Sequence, residues 1–183
     1  MDFTQLEKAR YSLRKFSDRP VEQEKLDLVL EAARCAPTAH NNQPQRIFVL
    51  KSAEAMEKAD TCSAYHFHPP LMLVVAYKAE EAWVRDGFDN KNYGEIDAAI
   101  AVTQMMLQAA DLGLGTTYVG NFDPQALLAQ FPEMEGCTPI AMPLMSWATH
   151  VIQWRSTEGC KAVRWSEPLK AVSVRIVGCN SPA

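Results

Sequence analysis

The sequence lacks most of the features that declare a function unaided. Its five cysteines (Cys35, Cys62, Cys137, Cys160 and Cys179) are scattered and include no CxxC pair. That spacing suits neither a disulfide framework nor a zinc site, and leaves reduced thiols. Positive charge is not in excess either. Eighteen Lys and Arg against 22 Asp and Glu give a formal net charge of −4, with no basic stripe to follow a phosphate backbone. Long apolar runs are missing. The longest, such as "PPLMLVVAY", fall far short of the ~20 residues a spanning helix requires. No charged-then-apolar leader opens the chain, so a cytoplasmic address is expected, with neither nucleic acid nor membrane as partner. His66 and His68 form an HxH beside Pro69 and Pro70 with no evident carboxylate or thiol partner, so no metal site is expected. Phosphate loops are absent too. GxGxxG fails because Tyr118 stands three past Gly115, and these glycines precede a strand rather than a helix.

What is present is an ordinary globular composition, 48% apolar and 22% charged over 183 residues, enough for one domain with a proper core. Helix and strand signals alternate. "FTQLEKARYSLRKF" predicts a first helix with Phe3, Leu6, Ala9 and Leu13 on one face. Leu26, Val29, Leu30 and Ala33 predict a second, with Glu22 and Glu24 in its first turn and Pro37 as its stop. "RIFVL" and "LMLVVAY" read as buried strands, the latter covered on both faces; "KSAEAMEKADTC" between them is helical or loop-like. A central helix follows from Ile96, Ala99, Ile100, Met105, Met106 and Ala109, closed by Gly113 and Gly115. "TTYVG" is a third strand. Asp123 as N-cap and Pro124 at the first position start another helix, and "TPIAMPLM" is a fourth strand. The pattern is α+β around one sheet.

Three stretches concentrate binding chemistry. "RYSLRKF" places Arg10 and Arg14 four apart, with Ser12 between them, a complement to a dianionic phosphate if the pair is not neutralised by Glu7 and Asp18. "APTAHNNQP" gathers Asn41, Asn42 and Gln43, whose amides both donate and accept and so suit the edge of a heterocycle. In "GLGTTYVGNFDP" the glycines would let the backbone approach a flat ligand. Each also has a plain structural explanation when taken singly.

In order along the chain, R-x-S-x-R-x-F (Arg10–Phe16), P-V-x-x-E-x-L-x-x-x-L-E-A-A (Pro20–Ala33), A-P-[ST]-A-x-N-x-Q-P (Ala36–Pro44) and A-A-x-L-G-L-G-T-x-x-x-G-x-F-D (Ala109–Asp123) resemble the nitroreductase family of FMN-dependent oxidoreductases. The resemblance covers roughly the first four fifths of the sequence. It implies a nitroreductase-like α+β sandwich, a central mixed, mainly antiparallel sheet flanked by helices, assembled as a homodimer. It implies FMN as cofactor and NADPH or NADH as co-substrate. Hydride would pass through the flavin to nitroaromatic or quinone-type acceptors in a ping-pong cycle. By that resemblance Arg10, Tyr11, Ser12 and Arg14 hold the ribityl phosphate and part of the pyrimidine ring. Pro37, Thr38 and Asn41 reach the flavin from the neighbouring subunit. Val119, Gly120 and Asn121 lie by the reactive ring nitrogen. The aromatic residue usual after Gln-Pro is Gln45 here, and the residue reading the flavin edge falls among Cys62 to His66 without assignment. No side chain is nominated as catalytic, and a lid is expected between Tyr77 and Gly94.

The whole chain, 1–183, reads as a single domain with an atypical tail. From Ser146 the family-like Leu-Gly-Tyr-Pro and Arg-[KR]-Pro-Leu segments are missing, and "SWATH" stands in their place. Codons for Trp-Ala-Thr-His, read one nucleotide earlier, can spell Leu-Gly-Tyr-Pro, and a similar shift near Val163–Glu167 permits Arg-Pro-Leu-Glu. Residues 146–183 are therefore expected to be an out-of-frame translation, the alternative being a diverged C-terminus. "HVIQW" and "VSVRIVG" are its candidate strands. With the tail disrupted, a non-catalytic or degenerate flavin-binding paralogue is the alternative function.

Overall fold

The computed structural model describes residues 2–147 and 176–177. Five strands form one sheet in the order β5-β6-β2-β1-β7. β1 (Gln45–Leu50), β2 (Leu71–Tyr77), β6 (Thr138–Trp147) and β5 (Leu114–Val119) are joined by antiparallel ladders. β7 (Ile176–Val177) lies parallel to β1, which makes the sheet mixed but mainly antiparallel, as expected. Among the tail readings, only these two residues of "VSVRIVG" are described; "HVIQW" and the remainder of 148–183 lie outside the described residues.

The central strands alternate their side chains between two apolar layers. Ile47, Leu73 and Val75 face α2 (Gln23–Arg34) and α4 (Gly94–Asp111), packing on Leu26, Val29, Ala101 and Met105. Phe48, Val74 and Leu144 face the other side, with Leu127 of α5 (Pro124–Gln130) and Ala55 and Ala59 of α3 (Ala53–Asp60). Both faces of β2 are thus covered, which is why that strand is apolar throughout. The short helices are capped as their sequences dictate. Ser52 Oγ accepts the Ala55 amide, and Asp123 Oδ1 accepts those of Gln125 and Ala126 at 2.9 and 3.0 Å.

The first helix is shorter than its periodicity predicts. α1 spans only Phe3–Ala9, and Arg10 at its C-cap is already extended (φ −65°, ψ 130°). The cause is tertiary. The Leu13 amide donates to the Thr116 carbonyl at 2.9 Å, Thr117 Oγ1 donates to the Leu13 carbonyl, and Ser12 bridges Thr116 in parallel sense. Residues 10–16 therefore run along the free edge of β5 as an extended strap. The buried Leu13 side chain lies on Gly115, where any Cβ would meet it at 2.5 Å. That corrects the role expected of two glycines. Gly115 accommodates Leu13 rather than a ligand, and Gly113 (φ +79°) reverses the chain after α4.

α4 also differs in detail. Ile96, Ala99 and Ile100 are only half buried, whereas Ala98, Ala101, Val102 and the carboxylate-bearing Asp97 are fully buried. β6 continues to Trp147, two residues past the expected end. Ser146 Oγ accepts the Ser17 amide (2.9 Å) and donates to the Ser17 carbonyl (2.8 Å), and the Trp147 ring sits under the Arg19 guanidinium at 3.8 Å. The first two residues of the atypical tail are thus built into the sheet.

Candidate functional site

The extended strap changes how the Arg–Ser–Arg motif works. Arg10 and Arg14 do not share a helix face; they share a face because an extended chain repeats every two residues. Leu13 turns inward, and Ser12 and the exposed Arg14 lie on the opposite side, with half-buried Arg10 one repeat before them. Neither arginine is paired with Glu7, Asp18 or any other carboxylate among the described residues; the Arg14 guanidinium touches only the Ser12 carbonyl, at 3.4 Å. Two free guanidinium forks beside a hydroxyl are a donor set for an anion. Tyr11 is half buried within the same strap.

β5 carries the strap's register to the third motif. From Thr116, opposite Ser12, the strand runs four residues to Gly120, about 13 Å at strand rise. The Val119 side chain is in the core, so only its backbone faces outward, whereas Gly120 and Asn121 are exposed. A Cβ at Gly120 would meet nothing closer than the Tyr118 ring at 3.4 Å, so the backbone here is open to approach. Burial and the nearby Glu95 carboxylate push the Tyr118 phenol above its ordinary pKa. A cavity of about 230 Å³, lined in part by Gly120, Phe122, Tyr77 and Glu95, opens beside it.

One contributor escaped the sequence reading. Within Cys62–His66, Ser63 contacts the Gly120–Asn121 segment: its hydroxyl donates to the Asn121 carbonyl at 3.1 Å, and its backbone bridges Phe122. The neighbouring Cys62 carbonyl accepts the Asp123 amide at 2.8 Å. Nothing local marks Ser63 for this contact, because Asn121 lies 58 residues away. His66 also gains a partner unseen in the sequence, Asp60 Oδ2 at 2.7 Å.

The Ala36–Pro44 loop occupies a different place, against the start of α4 and the segment that begins with Lys78. Its backbone is unusual. His40, Asn41 and Gln43 have φ of 52, 57 and 56°, left-handed values that ordinary side chains disfavour. Thr38 Oγ1 accepts the Gln43 amide (3.1 Å) and Asn41 Oδ1 accepts Gln43 Nε2 (2.9 Å). Asn42 Nδ2 donates to the Glu81 carbonyl at 3.2 Å. These amides and hydroxyls make hydrogen bonds that hold the loop. Pro37 is half buried, and Asn41 is exposed. Gln45, in place of the usual aromatic, is buried with both amide atoms unpartnered. In the expected lid, β3 (Val84–Arg85) and β4 (Lys91–Asn92) form a hairpin whose preceding Trp83 stacks on His40 at 5.4 Å.

The donor set fits a flavin mononucleotide on observations of this structure: arginines without a carboxylate partner among the described residues, beside Ser12, and an exposed glycine backbone one strand-length away with room over it.

Comparison with known proteins agrees. The nitroreductase family profile matches residues 8–67 and 62–142. A Methanothermobacter thermautotrophicus protein, named provisionally as an NADH dehydrogenase/NAD(P)H nitroreductase, is 30% identical over 130 residues, 67% of this chain and 62% of its own length. A Bacillus subtilis protein named FMN reductase [NAD(P)H] is 27% identical over 134 residues, 64% of this chain and 54% of its own length. The chain thus matches between about half and two thirds of these relatives. A crystal structure of a nitroreductase family protein from Clostridium difficile 630 superposes with a TM-score of 0.78 at 39% identity, covering 82% of this chain and 86% of that one.

Proposed function

The chain belongs to the nitroreductase family, and from that membership and the site geometry we propose that it is an FMN-dependent NAD(P)H oxidoreductase acting as a homodimer on nitroaromatic or quinone-type acceptors. The observation that carries the reading is the strap: Arg10, Ser12 and Arg14 share one face of an extended segment, with neither guanidinium group paired to a carboxylate among the described residues, registered on the strand that leads to Gly120.

The residues divide the work. Arg10 and Arg14 neutralise and grip the phosphate and reach toward the pyrimidine ring, with Ser12 and Tyr11 completing that end. The Gly120 and Asn121 amides supply backbone donors at the reacting end, and Ser63 fixes that backbone through the Asn121 carbonyl. Thr38 and Asn41, with Pro37, belong to the half that the partner subunit would supply. When bound, the flavin would supply hydride-transfer redox chemistry between NADPH or NADH and the acceptor. The protein contributes position and electrostatics; none of its side chains is required to react.

The test is direct. FMN titration of the apoprotein by flavin fluorescence should show saturable binding, and Arg10→Ala and Arg14→Ala should each weaken it about tenfold or more, the loss of a charge-assisted partner worth roughly 1.5–3 kcal/mol. Wild-type affinity in both variants removes the phosphate assignment. Bleaching of the flavin band by NADPH separates an active oxidoreductase from a flavin-binding protein without turnover.

A further inference from the structure

Asp97 is the one carboxylate buried on the inner face of α4. It is 2% exposed and sits in the first turn among Ala98, Ala101 and Val102. Its Oδ1 accepts the backbone N–H of Ala39 at 3.0 Å, a contact that spans 58 residues. Its Oδ2 is buried with no hydrogen-bond partner. Burial pushes the acid above its ordinary pKa, against the pull of the Ala39 amide. A buried carboxylate with one oxygen unsatisfied is a poor way to stabilise a helix–sheet interface, because an apolar residue of the same size would avoid the desolvation.

The position of Ala39 supplies the reason. It lies between Thr38 and the left-handed pair His40 and Asn41, whose conformation costs free energy and persists only where contacts over-determine it. Two further ties, the Thr38–Gln43 bond and the stacking of His40 on Trp83, are internal to the loop or lead to the lid. Among the described residues, the Asp97 bond is the hydrogen bond that ties this stretch to the core helix α4.

We propose that Asp97 is a positioning residue: by accepting the Ala39 amide it holds Thr38–Asn41 in the conformation that meets the flavin. The inference rests on the flavin-binding reading above and deepens it. Asp97 itself touches neither cofactor nor substrate; it acts through the loop, and across the subunit boundary if the loop serves the neighbouring site.

The experiment compares FMN dissociation constants of the full-length apoproteins. Asp97→Leu keeps the branched skeleton, with bulkier methyls, and removes the acceptor, and Asp97→Asn keeps an acceptor oxygen without the charge. The expected result is affinity weakened about tenfold in Asp97→Leu and restored to within about threefold of wild type in Asp97→Asn. Wild-type affinity in Asp97→Leu overturns the inference, as does equal weakening in both variants. Should Asp97→Leu not fold, amide hydrogen exchange at Ala39 in the wild type decides. Reciprocity requires that FMN slow that exchange if the pinned loop is the binding conformation, and unchanged exchange refutes it. Failure of the wild type to bind FMN is a separate result and sinks the flavin reading itself.

Discussion

The two halves of the candidate site are built by opposite means. The strap at residues 10–16 is held by apolar and backbone contacts, with Leu13 seated on Gly115 and its amide and carbonyl both bonded to β5. Among the described residues, its Arg10 and Arg14 guanidinium groups have no carboxylate partner, so those two charges face outward. The loop at 38–43 is held by polar contacts, and its own hydroxyl and amide groups are consumed in keeping three left-handed residues in place. A site segment seated by its apolar side chain can offer its polar ones to a ligand. One held by its polar groups offers mainly its backbone and shape, and depends on whatever pins it.

The sharpest way to break that contrast is Leu13→Ala. Removing a buried leucine should cost about 2–5 kcal/mol in denaturant unfolding. It should also weaken FMN binding, because Ser12 and Arg14 lose their seat. Leu127→Ala, on the inner face of α5 away from the strap, is the control: a similar stability loss with little change in FMN affinity. If both variants bind FMN alike, the strap does not depend on its apolar anchor.

A smaller effect separates the stability of the loop's anchor from its binding role. The folded-state pKa of Asp97 is raised, so the fold prefers the protonated acid. The cost of ionising it is absent below the ordinary carboxylate range near pH 4 and grows as pH rises through the folded value. Asp97→Asn should therefore be more stable than wild type at neutral pH, with the difference shrinking as pH falls toward 4. Urea unfolding at several pH values reads this out, and a difference that widens in acid would contradict the assigned cause.

The smallest expected effect is at Gln43. Glycine adopts its φ of 56° without steric cost, so Gln43→Gly should gain about 0.5–1 kcal/mol, offset by the lost bond to Asn41. A thermal melt raised by up to a few degrees is the expected result. A clear loss would mean that the side-chain bond, and not the backbone, governs this half.

The comparison also sorts what could be read in advance. β1, β2, β5, β6, α2 and α5 with its Asp123 cap were legible because each depends on local period or local hydrogen bonding. Asp97 was not singled out in the sequence, although its four-residue spacing to Ala101 places it on the buried stripe. Ser63 carried no signal at all. Its neighbours His66 and Tyr65 are more conspicuous, yet Ser63 is the one that reaches Asn121.

By itself, the sequence determined the alternation of elements, the two-faced burial of β2 and the order of the four family-like motifs, since these follow from spacing along the chain. Only the tertiary structure decided that residues 10–16 would be strap and not helix, because the edge of β5 and the vacancy at Gly115 outweigh a marginal helical preference at a chain end. It alone decided which acid pins the Ala36–Pro44 loop and which serine steadies Asn121. Both contacts join residues 58 positions apart, a separation at which local periodicity carries no information.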